Sequence, residues 1–155
     1  MLDDLRRIFS FAFHPHGPAF RNYMRPKAHE ITGPFTLGDL EITTAQLPHG
    51  RFETTGFVFS KNGRRLLAYY TDCNAVPREA IEAARDVEVL VIDALRHTPH
   101  PTHLSVEGAI EAGRAMGAKH TYFTHICHDL GHAATEAELP DGVHMAYDGL
   151  KLPIS

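Results

Sequence analysis

The stretch Asp86-Val87-Glu88-Val89-Leu90-Val91-Ile92-Asp93-Ala94-Leu95-Arg96-His97-Thr98-Pro99-His100-Pro101-Thr102-His103-Leu104-Ser105 decides the fold. Its first part, 87–95, is a nearly continuous run of Val, Leu and Ile. Such a run fits a strand covered on both faces, the kind found inside an α/β sheet. Its second part sets His97, His100 and His103 among two prolines, which makes it a loop. Ser105 then caps a helix. A buried strand that empties into a histidine-rich loop fixes polar groups at a sheet edge, a common place for chemistry.

Outward from this strand, the pattern predicts a mixed sheet covered by helices. Towards the N-terminus, Pro77 opens a helix to about Arg85, with Ala80, Ile81 and Ala84 facing inwards. Lys61-Asn62-Gly63 separates strands at 54–60 and 64–71, and Asn-Gly between apolar runs is a strong hairpin signal. Gly38-Asp39 separates strands at 33–37 and 40–46. Leu2, Leu5, Ile8, Phe9 and Ala12 recur at helical spacing, predicting an amphipathic helix over 2–13. The three prolines in 14–29 mark a loop. Towards the C-terminus, the helix from Ser105 ends at Gly117. A strand over 119–123, a short helix over 133–139 and a hairpin of 143–147 with 150–154 about Asp148-Gly149 complete the chain. Strands dominate the first half and strand–helix alternation the second, so the fold class is α/β with a mixed sheet.

The 155 residues suit a single domain, and 43% hydrophobic content can fill a core. The formal charge of −4 gives no electrostatic case for nucleic acid or an anionic membrane as partner. There is no secretory leader pattern and no apolar run of bilayer length, so a reduced cytoplasmic compartment is the default expectation. The composition departs from the ordinary in its 12 histidines. About 3 or 4 would be usual in a chain of this size, and the excess points to metal ligation or proton transfer.

Four polar positions follow predicted strands: His49, Asp72, the group 97–103 and His125. Strand ends on one sheet edge converge, and imidazole with carboxylate suits Zn²⁺, Mn²⁺ or Fe²⁺. Each position has a plainer reading. His49 also fits a turn, and Asp72 also fits a cap for the helical region that follows. His103 also fits a solvent-facing residue ahead of the helix, and His125 a buried histidine bonded to backbone. His14 and His16 read as loop residues. Cys73 and Cys127 each neighbour a candidate ligand. Strand alternation turns them to the opposite face, as small buried fillers.

Taken in order, Leu-Pro-His-Gly around His49, Tyr-Thr-Asp around Asp72, Pro-Thr-His-Leu-Ser around His103 and Phe-Thr-His-Ile-Cys-His-Asp around His125 resemble the metallo-β-lactamase superfamily. They are most similar to its phosphodiesterase branch, the phosphoribosyl 1,2-cyclic phosphate phosphodiesterase-like proteins related to tRNase Z. The closing Ala-Tyr-Asp-Gly-Leu is similar to that branch as well. The resemblance implies an αββα sandwich with two metals, Zn²⁺ or Mn²⁺, on one edge of a complete family enzyme. It makes His49 and His125 metal ligands and Asp72 the bridging carboxylate. His103 is implied to stand off the metals, beside the scissile phosphate, as a general acid. Asp93 is implied to orient a ligand histidine from behind. Arg96 either grips a substrate phosphate or, by slight preference, pairs with a carboxylate.

The activity implied is metal-dependent hydrolysis of a small (cyclic) phosphodiester by a metal-bound hydroxide. A hydrolase of the superfamily acting on thioesters or lactones is a competing reading, against which the Pro-Thr-His-Leu-Ser setting of His103 speaks. The superfamily's His-x-His-x-Asp-His hallmark occurs nowhere in the 155 residues. The resemblance therefore implies a C-terminal portion, a partial sandwich with one sheet face bared and a tendency to homo-oligomerise. The alternative it leaves open is a degenerate, non-catalytic member that binds one metal or a partner protein.

Overall fold

The computed structural model describes residues 2–13 and 26–154, and the chain divides into two compact units, 1–32 and 33–155. The expected loop histidines His14 and His16 lie outside the described residues. In the first unit the helix expected over 2–13 is two short helices, α1 (Leu2–Ile8) and α2 (Ser10–Phe13). The break falls at Phe9, just before Ser10, a residue type that favours helix starts over helix interiors. Neither helix contains a buried residue.

The second unit contains β1 (Phe35–Leu37), β2 (Leu40–His49), β3 (Phe52–Lys61), β4 (Arg64–Tyr70), α3 (Arg78–Ala83), β5 (Val89–Asp93), α4 (Val106–Met116), β6 (His120–Thr124), α5 (His132–Glu138) and β7 (Val143–Met145). The strands form one sheet in the order β1-β2-β3-β4-β5-β6-β7. Neighbours are antiparallel from β1 to β4 and parallel from β4 to β7. The change follows from the connections. Two-residue turns join β1 to β2 and β3 to β4, and only antiparallel strands can be joined so tightly. Asn62 and Gly63 adopt φ of 52° and 75°, the left-handed pair that such a hairpin requires. From β4 onward each link contains a helix, which returns the chain to the same edge.

β5 behaves as its composition predicts, with every residue buried except the half-buried Val91. On one face of the sheet Tyr70, Leu90, Ile92 and Phe123 are fully buried in a core shared with Ala80 of α3 and Ala109, Ala112 and Met116 of α4. The Tyr70 hydroxyl donates to the Ala80 carbonyl at 2.9 Å, which satisfies the one polar atom that this ring brings into the core. Helix α4 starts where Ser105 Oγ accepts from Gly108 N at 3.1 Å and stops at Gly117, which is left-handed with φ of 68°. It lies close on β6. A Cβ at Gly113 would come within 2.6 Å of Thr121 Oγ1, so only glycine fits that crossing. Alternation places Phe57, Phe59, Leu67, Tyr69, Val91 and Tyr122 on the opposite face, where all are half-buried or exposed.

One expectation is corrected. The hairpin of 143–147 with 150–154 does not form: β7 pairs in parallel with β6, and 150–154 is not a strand. The Asp148-Gly149 turn is present, closed by Leu150 N donating to Tyr147 O at 3.1 Å, but the parallel partner had already claimed β7. At the other end β1 reaches only Leu40–Ile42 of β2. Residues 43–49 of β2 are therefore a sheet edge among the described residues.

Glu136 fastens α5 to β7. One oxygen accepts from Met145 N at 2.5 Å and the other lies 3.1 Å from His144 Nδ1. Burial alone would raise its carboxyl pKa, but the Met145 amide and the imidazoles of His144 and His132 outweigh it, and the value is lowered. A depressed carboxyl stabilises the fold above its unfolded pKa and loses that contribution as pH falls through the folded value. Glu136→Gln is therefore expected to melt lower than wild type near neutral pH, by roughly 1 kcal/mol after allowance for solvent screening. The gap should close below the ordinary value of 4.5. Thermal melts of both proteins from pH 7 to pH 3 check this.

Candidate metal centre

β2 is antiparallel to β3, and β3 to β4, so β2, β4, β5 and β6 all run the same way. Their C-terminal ends share one edge of the sheet. His49 ends β2, Asp72 follows β4, Asp93 ends β5, His103 lies in the β5–α4 loop and His125 follows β6. Residues far apart in sequence meet for this reason. Asp72 and His125 both adopt φ of 55°. That left-handed conformation is uncommon outside glycine but is tolerated best by Asn, Asp and His. It turns the chain sharply at each strand end.

One ligand atom from each of His49, Asp72 and His103 lies within 4.8 Å of the others. His125 Nε2 is 3.2 Å from Asp72 Oδ1. The ring of His103 stacks on that of His125, with centroids 4.6 Å apart, and meets the ring of His49 edge-on at 4.8 Å. All four residues thus form one patch. The sequence resemblance holds His103 apart from the ligands, whereas the geometry brings its ligand atom within 4.8 Å of those of both Asp72 and His49.

Hydrogen bonds behind the patch fix the rings. His49 Nδ1 donates to the Thr102 carbonyl at 2.8 Å, since a carbonyl can only accept. His103 Nδ1 lies 3.0 Å from Asp93 Oδ2 and donates to it when Asp93 is ionised. Each imidazole therefore keeps Nε2 as a free lone pair, the arrangement seen when an outer carboxylate or carbonyl orients a metal-binding histidine. Imidazoles beside a carboxylate suit a first-row divalent ion: His49 and Asp72 with His125, whose Nε2 is 3.2 Å from Asp72, or with His103, whose ligand atom lies within 4.8 Å of both. The residues present thus fit the group that this chemistry calls for.

Asp93 is fully buried. Burial raises its pKa, while the hydrogen bonds of His103 and Cys73 pull it back towards the ionised form. Cys73, also fully buried, donates its thiol to Asp93 Oδ1 at 3.3 Å. Burial, reinforced by the Asp93 charge, pushes the Cys73 thiol pKa well up, so the S–H is retained. His100 lies beside His103, and its pKa is lowered by desolvation and by the charges of Arg96, His103 and His49. Neutral His100 Nδ1 faces Thr102 Oγ1 at 3.1 Å and holds the loop whose carbonyl orients His49. Gly50 is needed beside that loop, because a Cβ there would meet Thr102 Cγ2 at 2.7 Å.

Three sequence expectations change here. Arg96 pairs with no carboxylate among the described residues. Its guanidinium donates to the carbonyls of Thr98 and Pro99 at 3.3 and 3.0 Å, bracing its own loop. Cys73 is buried as expected but bonds to Asp93 and so is more than filler. Cys127 is only half-buried, because it lies beyond the end of β6 where strand alternation no longer applies. The Thr102 carbonyl and the Cys73 thiol are the participants that sequence reasoning missed. The adjacency of Cys73 to Asp72 was the one available signal.

The chain matches the model of a family described as the beta-lactamase superfamily domain over residues 1–126. The chain belongs to that superfamily. It is similar to a crystallised diphosphatase from the PhnP family that is 35% identical, with a TM-score of 0.76 over 97% of this chain and 54% of that one. The metallo-β-lactamase fold protein YhfI from Bacillus subtilis is 17% identical, with a TM-score of 0.68 over 84% of this chain and 56% of that one. The short form of human tRNase Z is 18% identical, with a TM-score of 0.61 over 78% of this chain and 44% of that one. The last two bear on the fold alone. Among curated proteins, an octanoyltransferase of Porphyromonas gingivalis is 30% identical over 123 residues, which is 76% of this chain and 23% of that protein. This superfamily member thus spans about half the length of the solved relatives it matches and about a quarter of that curated one. No helix among its described residues is long and apolar enough to cross a membrane.

Proposed function

We propose that this edge is the part of a metal-dependent phosphodiesterase site that the chain contributes, acting on a small phosphodiester. The observation that carries it is the convergence of His49, Asp72, His103 and His125 on one patch, with the Nδ1 atoms of His49 and His103 already tied off behind it. Divalent zinc or manganese at such a site supplies Lewis acidity and lowers the pKa of water. His49, Asp72 and His125 would hold the ion. His103, oriented by Asp93, would carry the proton that the departing alkoxide requires, a role worth about 10²–10⁴ in rate. Arg96 would keep the His100–His103 loop in place rather than touch phosphate.

A phosphorus centre is favoured over a carbon ester by the Pro-Thr-His-Leu-Ser setting of His103 and by the 35% identical relative described as a diphosphatase. The octanoyltransferase name weighs less, because the match spans only 23% of that protein. A non-catalytic, single-metal binder is the second reading. Among the described residues the ligand atoms that lie within 4.8 Å of one another form a single group, His49, Asp72 and His103, enough for one ion.

The test is a titration of the chain with Zn²⁺ and Mn²⁺ against a chromophoric chelator, alongside hydrolysis of bis(p-nitrophenyl) phosphate. Saturable binding with chelator-sensitive hydrolysis is expected. Binding without hydrolysis selects the second reading, and no binding overturns both.

A further inference from the structure

We propose that Cys73 is a positioning residue, and that its buried thiol sets the orientation of His103 through Asp93. Three facts carry it. Cys73 and Asp93 are both fully buried, so no solvent can substitute for a lost partner. The thiol lies 3.3 Å from Asp93 Oδ1, while Asp93 Oδ2 lies 3.0 Å from His103 Nδ1. Each carboxylate oxygen therefore has its own side-chain partner, and together these bonds fix the plane of the carboxylate. Cys73 also follows Asp72 directly. The left-handed turn at Asp72, with φ of 55°, sends the Asp72 carboxylate to the patch and the next side chain into the core.

One dipeptide thus reaches the site twice, once from the front and once from behind. Movement of Cys73 carries both the carboxylate that faces His49 and His125 and the carboxylate that steers His103. A plain filler of the same volume could pack the space but would leave Asp93 Oδ1 without a side-chain donor. Loss of a donor to a buried carboxylate is costly, and with the Cys73 backbone amide as its remaining partner besides His103 the carboxylate is free to rotate. His103 then loses its fixed ring.

The consequence for turnover rests on the phosphodiesterase reading, but the decisive measurement does not. Long-range ¹H–¹⁵N NMR of the metal-free chain reports which nitrogen of His103 carries the proton. Wild type is expected to show the Nδ1–H form of His103. Cys73→Ala and the apolar near-isostere Cys73→Val are expected to lose that single form, to exchange or to the Nε2–H tautomer, while Cys73→Ser restores it through its hydroxyl donor. If hydrolysis is found, Cys73→Ala should lower kcat about 10–100-fold, the usual cost of removing an outer partner. KM should not change, and Cys73→Ser should recover the loss. A folded Cys73→Ala or Cys73→Val chain that keeps the wild-type His103 tautomer overturns the proposal. Failure of wild type to hydrolyse anything would count against the phosphodiesterase reading alone.

Discussion

Replacing Asp72 with asparagine is expected to weaken Zn²⁺ or Mn²⁺ binding by more than the 10–100-fold or so that outer partners of a metal site typically cost. Among the described residues Asp72 is the one carboxylate grouped with both His49 and His103, and it lies 3.2 Å from His125 Nε2. Its charge is thus central to the donor set. Asparagine is the right substitution because Asp72 has φ of 55°. Alanine in the left-handed region costs about 1–2 kcal/mol, whereas asparagine visits it routinely. The ion pair with His125 is almost half exposed, and such pairs are worth about 0–1 kcal/mol, so its loss should hardly move the melting temperature. Asp72→Asn should therefore melt near wild type while failing to bind. Asp72→Ala should fail to bind and melt lower as well. Unchanged metal affinity in a folded Asp72→Asn chain would remove Asp72 from the ligand set.

The second large effect concerns His103. His103→Ala is expected to cut metal-dependent hydrolysis by about 10²–10⁴, the range for a lost general acid. Metal affinity should stay within a few-fold of wild type. This split matters because the donor atom of His103, like that of His49, lies within 4.8 Å of Asp72. Were His103 a ligand, affinity and rate would fall together, as for Asp72. The chelator titration separates the two roles without reference to the natural substrate. Asp93→Asn should resemble a milder His103→Ala, because an amide can accept from Nδ1 but carries no charge to stabilise the imidazolium.

Much of this arrangement was legible in the sequence, and the exceptions have physical causes. The run 87–95 announced β5, because only a strand covered on both faces needs so many apolar residues in succession. Ser105 and Gly117 marked the ends of α4, and Asn62-Gly63 marked the hairpin, since each sits where the backbone demands that residue type. His49, Asp72 and His125 were expected on one sheet edge and do lie at strand ends that share it, but which imidazoles stand closest together was hidden: the ligand atoms within 4.8 Å of one another are those of His49, Asp72 and His103. The final hairpin failed because a turn signal at Asp148-Gly149 says nothing about which strand competes for β7, and β6 was the partner available. The break at Phe9 was hidden because apolar spacing runs straight through it. Arg96 could not be assigned because its partners are backbone carbonyls, which leave no trace in side-chain identity. The Cys73–Asp93 contact depends on how β4 and β5 lie side by side, and no local pattern encodes that.

The short reach of β1 has a consequence for the site. An unpaired strand edge invites a stray chain to zip on, and here such an edge would lead straight to His49. Pro48 interrupts it. Proline has no amide hydrogen to give, and its carbonyl is already engaged by Asn74 N at 2.9 Å. An intruding strand finds neither rung at that residue, so the last step before the imidazole is insulated.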